Sequence, residues 1–276
     1  MNILIFGHVC IDQNKSENSE YVYWGSPAMF MNKVFGKFPD NSVAIVSNYG
    51  HDFVEYLKDV DIHPPKAVSK KTLVYQNVTR KEQRSQKALY RELSEPVVMD
   101  GKLKERIKDA DVIVFAPILP NYDSVHIEEV IRYANKKCLK VLLPQGYFRD
   151  FDENHNVIFR DFQEAGTVLK HFDLVTLSEE DYPDIEKLSE RWARDLNINI
   201  VVTKGKNGAV LITKDGYTPV QTTPIPEEEI VDSVGSGDTF SAALIHEFQK
   251  TGDLVEAIKF AHKIAGEALK STHSIK

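Results

Sequence analysis

Residues 231–241 read Val231-Asp232-Ser233-Val234-Gly235-Ser236-Gly237-Asp238-Thr239-Phe240-Ser241, so two glycines and a carboxylate come directly before a helical pattern. Apolar side chains after Asp238 recur at helical spacing, which predicts a helix that begins near that residue (Phe240, Leu244, Ile245 and Phe248). The first N–H groups of a helix have no partner within it and carry partial positive charge. The turn that contains the glycines can therefore bind an anion such as a phosphate group.

Asp238 would lie beside that anion. A carboxylate next to a phosphate is unfavourable unless something lies between them, and a substrate hydroxyl that gives up its proton is one candidate. The sequence Gly-Ser-Gly-Asp also fits a plain turn with Asp238 as the helix N-cap. The rest of the chain has to decide between these interpretations.

The length, composition and charge of the chain limit the number of domains and the kinds of partner that we expect. With 276 residues, 42% hydrophobic and 27% charged, the chain is large enough for one large α/β domain, and we expect a single domain over residues 1–276. The net charge of −7 and the scattered Lys and Arg residues argue against a nucleic-acid partner.

The cysteines and the N-terminus predict the compartment. Cys10 and Cys138 lie far apart and form no CxxC pair, which is typical of a reducing environment. Residues 1–7 lack a basic segment and predict a first strand, and no apolar run has membrane-spanning length. We expect a cytoplasmic protein without a membrane partner.

The alternation of elements predicts the fold class. Residues 2–6 are continuously apolar, as in a strand buried on both faces of a parallel sheet. From residue 100 helical and strand patterns alternate (helices 102–108, 124–136, 160–171 and 186–196; strands 112–116, 141–143, 173–177 and 198–203). This order predicts a doubly wound, mostly parallel α/β sheet flanked by helices.

Two segments depart from this rhythm. Residues 13–24 and 68–96 contain β-prone runs of mixed polarity, as in half-exposed antiparallel strands. We expect them to form a small β lid over the site, and a homodimer through the lid would cover its open edge. An ordinary edge hairpin fits the same pattern.

Polar residues follow several predicted strands, where open α/β sheets bind ligands. Asp12 could hold substrate hydroxyls there, Arg149 could balance phosphate charge, and Asp181 could organise Mg²⁺ through water. Each has a structural alternative: Asp12 could belong to a turn, Arg149 could be an exposed structural residue, and Asp181 could begin a helix. Gly25 permits close approach of a ligand to the backbone, and Gly25, Ser26 and Pro27 also fit a plain connection from a strand to a helix.

Several motifs are absent from the sequence. It contains no Walker A pattern, no GxGxxG after the first strand, no GxSxG and no HExxH. Hydride transfer, P-loop chemistry and metalloprotease chemistry therefore lose support.

Five segments, in their order along the chain, resemble the ribokinase/PfkB family of carbohydrate kinases, and the resemblance covers essentially the whole chain. The most specific segment is 232–240, which is similar to the family's DxxGAGD signature with Ser236 in place of alanine. The others are similar to the substrate aspartate, the Gly-Gly region, the GxD segment and the TxGxxG nucleotide segment (Gly7 with Asp12, 24–28, 50–52, and 203–205 with Gly208).

This resemblance implies a ribokinase-like fold and a set of residue roles. Asp238 would be the catalytic base, and the backbone amides from Gly235 through Ser236 and Gly237 to Asp238 would form the anion hole. Asp12, with Gly25, Ser26 and Arg149, would bind the substrate, and the nucleotide side would include four further residues (Thr203, Gly205, Gly208 and Asp232). ATP and Mg²⁺ are implied as cofactors, and the use of a monovalent cation is left open.

The chain also departs from the family pattern. Trp24 replaces the first glycine of the Gly-Gly pair, and Met29 falls where many sugar kinases have asparagine. Residues 178–181 stand where the family has NxxE, so Asp181 would have to act on Mg²⁺ through water. These departures concern the substrate contacts and the metal site, and they leave both open.

The first hypothesis is ATP-dependent phosphorylation of a hydroxyl on a small sugar or polyol. Residues 145–149 and 177–180 are most similar to the inositol-kinase branch of the family. Alternatives are a nucleoside kinase, a catalytically silent sugar- or nucleotide-sensing protein, and a phosphosugar kinase that would use cations of the lid (Arg80, Lys81, Arg84 and Lys87).

Overall fold

The computed structural model describes residues 1–17, 20–80 and 83–271. Its strands are β1 Asn2–Gly7, β2 Cys10–Lys15, β3 Glu20–Gly25, β4 Ser42–Val46, β5 Ile62–His63, β6 Val74–Arg80, β7 Gln83–Leu89, β8 Val112–Ala116, β9 Leu139–Leu142, β10 Arg149–Phe151, β11 Val157–Phe159, β12 Leu174–Ser178, β13 Asn199–Thr203, β14 Ala209–Thr213 and β15 Gly216–Val220. The α-helices are α1 Pro27–Phe35, α2 Gly101–Lys108, α3 Ser124–Tyr133, α4 Ala165–Val168, α5 Ile185–Leu196, α6 Ser236–Thr251 and α7 Leu254–Leu269.

The main sheet has nine strands in the order β15-β14-β13-β12-β9-β8-β1-β4-β5. Neighbours from β13 to β5 pair in parallel, and β14 and β15 add an antiparallel edge. The strand order reverses beside β1, because β4 and β5 lie on one side of it and β8 on the other. Such a switch point is where open α/β sheets bind ligands. The predicted doubly wound fold is confirmed.

Side chains of β1 alternate between two hydrophobic cores. Ile3 and Ile5 face the core that contains α1, α6 and α7, whereas Leu4 and Phe6 face the core of α2 to α5. Successive residues of a strand point to opposite faces, so a continuously apolar strand needs cover on both sides. Helices therefore flank the sheet on both faces.

A separate sheet of four strands has the order β3-β2-β6-β7. It joins the segments around residues 13–24 and 68–96, with β2 and β6 parallel and the outer pairs antiparallel. A second small sheet pairs β10 with β11, a hairpin that was not predicted because its strands have only three residues each. The edge strand β7 meets this hairpin, since the Ala88 N–H donates to the His155 carbonyl at 3.0 Å.

The helix predicted over 160–171 is wrong in its extent. Only α4 is α-helical, and a 3₁₀ turn follows at Leu169–His171. Gly166, Thr167 and Val168 have low helix propensity, and this explains the short element. Across the described part of the chain, every helix is too short or too polar to cross a bilayer.

Asp52 comes directly before the helical pattern that begins at Phe53, which predicts a helix cap, but the structure shows that Asp52 is not the cap of this element. That element is a 3₁₀ helix at His51–Leu57 with Gly50 at its N-cap position. The Asp52 carboxylate instead accepts hydrogen bonds from the Thr72 N–H at 2.9 Å and from the Thr72 hydroxyl at 2.8 Å. Thr72 Oγ1 in turn accepts from the Gly50 N–H at 2.9 Å, so the pair holds the loop after β4 against the start of β6.

Replacing Asp52 with alanine is expected to lower the free energy of unfolding by about 1–3 kcal/mol, because the N–H and the hydroxyl of the buried Thr72 both lose their acceptor. Urea denaturation measures the change. The matched control is Asp215→Ala at an exposed turn, which should change stability by less than about 0.5 kcal/mol. Equal effects of the two substitutions would contradict the role given to Asp52.

Candidate active site

The helix α6 begins at Ser236 and has Gly235 as its N-cap residue, with φ 73°. A Cβ at Gly235 would lie 2.4 Å from the ring of Phe30, so both the backbone conformation and the close packing require glycine. Asp238 is the third residue of the helix and not its cap, which removes the plain N-cap interpretation. The amide of Ser236 donates to the Ser233 carbonyl at 3.2 Å, whereas Gly237 and Asp238 lie in the first turn, whose N–H groups lack helical partners.

Two cavities meet beside this helix start. The larger has a volume of about 870 Å³ and the smaller about 580 Å³. Both are lined by the same group of polar residues (Gln86, Gln145, Arg149, Glu180, Ser233 and Ser236). Gly237 lines the larger cavity and Asp238 the smaller one, so the helix N-terminus lies at their junction.

The predicted site residues divide between the two cavities. Those that line the smaller cavity are Asp12, Ser26, Arg149, Gly235, Ser236 and Asp238. Those that line the larger one are Arg149, Asp181, Thr203, Gly205, Ser236 and Gly237.

Three predicted residues lie elsewhere. Gly208 and Asp232 are not among the residues that line these cavities: Gly208 supports a tight backbone crossing with φ 90°, and the Asp232 carboxylate accepts from the Val234 N–H at 2.9 Å. Gly25 lies behind Asp12, where a Cβ would come 2.2 Å from the Asp12 Oδ2 atom.

The four-stranded sheet supplies a row of amide side chains to the smaller cavity. Asn14, Asn77 and Gln86 are opposite one another on β2, β6 and β7. The Asn77 amide donates to Asn14 Oδ1 at 3.1 Å, and the Gln86 amide donates to Asn77 Oδ1 at 2.8 Å. Asp12 lies two residues before Asn14 and therefore on the same face. The cavity thus presents a carboxylate and fixed amides, groups that can hydrogen-bond several hydroxyls.

Residues 46–276 match the family described as pfkB family carbohydrate kinase. The chain belongs to this family. The resemblance drawn from the sequence motifs is therefore confirmed.

Individual relatives of this pfkB-family kinase are distant. The adenosine kinase of Schizosaccharomyces pombe is 26% identical over 156 residues, which cover 56% of this chain and 39% of that protein. The match therefore spans about two fifths of the curated relative's length.

Solved structures support the fold. A pyrophosphate-dependent myo-inositol-1 kinase converted into a myo-inositol-3 kinase by mutation has a TM-score of 0.77 at 15% identity, covering 99% of this chain and 95% of that one. Ribokinase of Arabidopsis thaliana complexed with ribose and ATP has a TM-score of 0.73 at 15% identity, covering 99% and 93%.

Trp24 and Ser26, which belong to the segment similar to the family's Gly-Gly region, have distinct structural positions. Trp24 is buried, with its ring centroid 5.0 Å from that of Phe30. Ser26, not Trp24, has the backbone conformation that favours glycine, with φ 99° and ψ 148°. Its hydroxyl accepts from the Met29 N–H at 3.4 Å and caps α1. The strained residue of this segment therefore lies at the wall of the smaller cavity.

The protein concentrates carboxylates around the start of α6. Burial raises the pKa of Asp238 to about 7, the negative charges of Asp181 and Asp12 contribute to this rise, and the positive charge of Arg149 opposes it. Burial also raises the pKa of Asp181, which accepts from the Ser178 N–H at 2.8 Å. A carboxylate with a pKa near neutrality is suited to accept a proton during catalysis.

The acidic residues do not form a ready metal cage. Within residues 1–17, 20–80 and 83–271, no group of three or more His, Cys, Asp or Glu side chains could hold a metal ion. Asp181 lines the larger cavity but directs Oδ2 to the Ser178 amide. One carboxylate oxygen of Asp181 is therefore already used, and the side chain fits an indirect contact in which water lies between it and a cation bound to phosphate groups.

The residues that line the smaller cavity and were not predicted as site residues from the sequence include Asn14, Tyr75, Asn77 and Gln86. The sequence does show that polar and apolar residues alternate in the segments that contain them, as in half-exposed strands. Which face they occupy depends on the pairing of β2 with β6 and of β6 with β7, and local sequence does not specify this pairing.

Replacing Asp238 with asparagine is expected to stabilise the protein at high pH. Because the folded carboxyl has a raised pKa, the wild type loses stability as pH rises from about 4 to about 7, whereas asparagine binds no proton. The difference in the free energy of unfolding between Asp238→Asn and the wild type should therefore grow from about pH 4 to about pH 7. Above about pH 7 it should reach about 1–2 kcal/mol, a value reduced for the partial exposure of the carboxyl.

Urea denaturation at several pH values from about 5 to about 8 tests this expectation. Asp215→Asn is the control, and its stability should follow that of the wild type at every pH. A constant difference between Asp238→Asn and the wild type would contradict the raised pKa.

Proposed function

We propose that this pfkB-family kinase transfers the γ-phosphoryl group of ATP to a hydroxyl of a small sugar or polyol. The observation that carries the proposal is the position of Asp238, at the start of α6 where the two cavities meet. The smaller cavity would hold the acceptor and the larger cavity the phosphate donor. Their shared lining at Arg149 and Ser236 would then surround the transferred group.

The acceptor is held by hydrogen bonds in this proposal. Asp12 and the amide row of Asn14, Asn77 and Gln86 bind its hydroxyls and turn one of them toward Asp238. Asp238 takes the proton of that hydroxyl as its oxygen bonds to the γ-phosphorus atom, and the bond from that phosphorus to the bridging oxygen breaks, so that ADP leaves. The amides of Gly237 and Asp238 and the guanidinium of Arg149 stabilise the negative charge on the phosphoryl oxygens.

The size and lining of the larger cavity support a nucleoside triphosphate donor. Away from the helix start it is lined by apolar side chains (Ile225, Ile230, Phe240, Ala265 and Leu269), which suit a base and not a phosphate. Mg²⁺, when bound with the donor, would reduce the charge on the phosphates, and Asp181 would hold its water shell. A monovalent cation is an additional cofactor to be tested in the same assay.

A nucleoside acceptor is the second candidate. The adenosine kinase relative favours it, and Tyr21 and Phe30 give the smaller cavity aromatic side chains. A phosphosugar has less support: Lys81 lies outside the described residues, as do the side chains of Arg80 and Arg84, and Lys87 does not line the smaller cavity. Lys15 lines it but forms a salt bridge with Glu20 at 2.8 Å.

The four-stranded sheet is proposed to act as the lid and as a dimer surface. Its edge strand β3 exposes 42% of Tyr21 and 54% of Val22, apolar surface that a second copy could cover. Cys10 and Cys138 are both free and buried, which supports a reducing, cytoplasmic location.

A panel assay tests the proposed reaction. Purified protein with ATP and Mg²⁺ is offered inositols, sugars, phosphosugars, adenosine and cytidine, and product is detected by mass spectrometry. A polyol or sugar should be phosphorylated, and Asp238→Asn should reduce the rate at least about a hundredfold while acceptor binding is retained.

Two control measurements separate the alternatives. Pyrophosphate replaces ATP in parallel reactions, and calorimetry measures binding of each compound. Preferential phosphorylation of nucleosides would support the second candidate, and binding without any turnover would support a silent sensing protein. A better rate with pyrophosphate than with ATP would refute the proposed donor.

Replacing Asn77 with leucine should raise the KM for a polyol acceptor roughly tenfold or more, because one or two hydrogen bonds to hydroxyls and the amide row itself are lost. The KM for ATP should not change. The matched control is Gln76→Leu: Gln76 lies on the opposite face of β6 and pairs with Gln13 at 2.9 Å. A similar rise in acceptor KM for both variants would show that the amide row has no special role.

A further inference from the structure

Tyr75 connects the four-stranded sheet to Arg149. The residue lies in β6, is 3% exposed and contributes to the lining of the smaller cavity. Its hydroxyl donates to the Ile118 carbonyl at 2.7 Å and accepts from Arg149 Nη1 at 3.2 Å. The guanidinium carbon of Arg149 also lies 5.3 Å from the centre of the Tyr75 ring.

The direction of these hydrogen bonds is fixed by the available donors. A phenol has one proton, and the Ile118 carbonyl can only accept, so that proton points to Ile118. A lone pair of the oxygen then faces Arg149, which can only donate. The ring face adds an attraction for the cation. One side chain therefore makes two contacts that orient the guanidinium.

The position of Arg149 makes this orientation important for transfer. Arg149 lines both cavities and is the first residue of β10. The hairpin of β10 and β11 is hydrogen-bonded to the edge strand β7. None of the salt bridges between described residues involves Arg149, and its positive charge acts on the nearby carboxyls of Asp181 and Asp238. A long arginine side chain loses conformational entropy when it is held in one rotamer. A contact that is present before the substrate binds removes this loss from the binding step.

Tyr75 also lies beside the substrate-binding candidate. The pairing of β2 with β6 places Asp12 opposite Tyr75 on the same face of the four-stranded sheet. A displacement of this sheet would therefore move the acceptor contact and the support of Arg149 together.

We propose that Tyr75 is a positioning residue that holds the Arg149 guanidinium at the junction of the two cavities, toward the phosphoryl group in transfer. The inference rests on the proposed phosphotransfer function. It gives the four-stranded sheet a second role, because the sheet then both contacts the acceptor and orients the cation that stabilises the transition state.

The test compares Tyr75→Phe with a matched control. Tyr147→Phe removes an equivalent bond, because the buried Tyr147 hydroxyl donates to the Tyr122 carbonyl, and Tyr147 is not among the residues that line the two cavities. Tyr75→Phe should lower kcat roughly tenfold with both KM values nearly unchanged, and Tyr147→Phe should keep the wild-type kcat. Thermal unfolding verifies that both variants are folded.

A double-mutant cycle ties the effect to Arg149. In an Arg149→Gln background, Tyr75→Phe should cause no further loss of kcat, since the group it orients is gone. A further loss of roughly tenfold in that background would overturn the proposal. An unchanged kcat of Tyr75→Phe, or an equal loss in Tyr147→Phe, would also overturn it.

A measurement that does not need turnover separates this proposal from the proposed function. The order of the Arg149 side chain is followed by ¹⁵N NMR of its Nε–H group in the wild type and in both phenylalanine variants. Disorder confined to Tyr75→Phe supports the positioning role even if no acceptor is phosphorylated. Unchanged order in Tyr75→Phe refutes it even if the protein is an active kinase.

Discussion

The left-handed backbone at Gly235, packed against the ring of Phe30, is the constraint on which the candidate site depends. It lets the chain turn into α6 within one residue and brings the first turn of the helix to the junction of two cavities. Phe30 belongs to α1, so the packing of α1 against α6 in the core fixes the position of the amides in the first turn of α6. Any side chain at Gly235 would separate these helices at the point where their contact defines the site.

The second determinant is electrostatic. Asp238 lies near two other carboxylates, those of Asp12 and Asp181, and near the guanidinium of Arg149. Burial and like charges keep its pKa near neutrality, which costs stability but gives a carboxylate that can accept a proton. The positive charge of Arg149 opposes the rise in the pKa of Asp238, and in the proposed transfer the same charge would attract a phosphate group.

Much of the fold could be predicted because buried parallel strands have a strong local signal. The apolar run of β1 and the later alternation of strands and helices specify a doubly wound sheet. Elements with weak local signals were predicted less well. Gly166 and two β-branched residues shorten α4, the hairpin of β10 and β11 has strands of three residues, and Asp52 bonds to a distant threonine instead of capping a helix.

By itself, the sequence determined the family, the turn at Gly235–Asp238 and the candidate base, because glycines, a carboxylate and a helical pattern at short spacing act locally. Only the tertiary structure decided which side chains surround that base. The amide row of Asn14, Asn77 and Gln86 and the link from Tyr75 to Arg149 join residues that are far apart in the chain. Their meeting depends on strand register, and a shift of one residue would turn each of those side chains to the other face of its sheet.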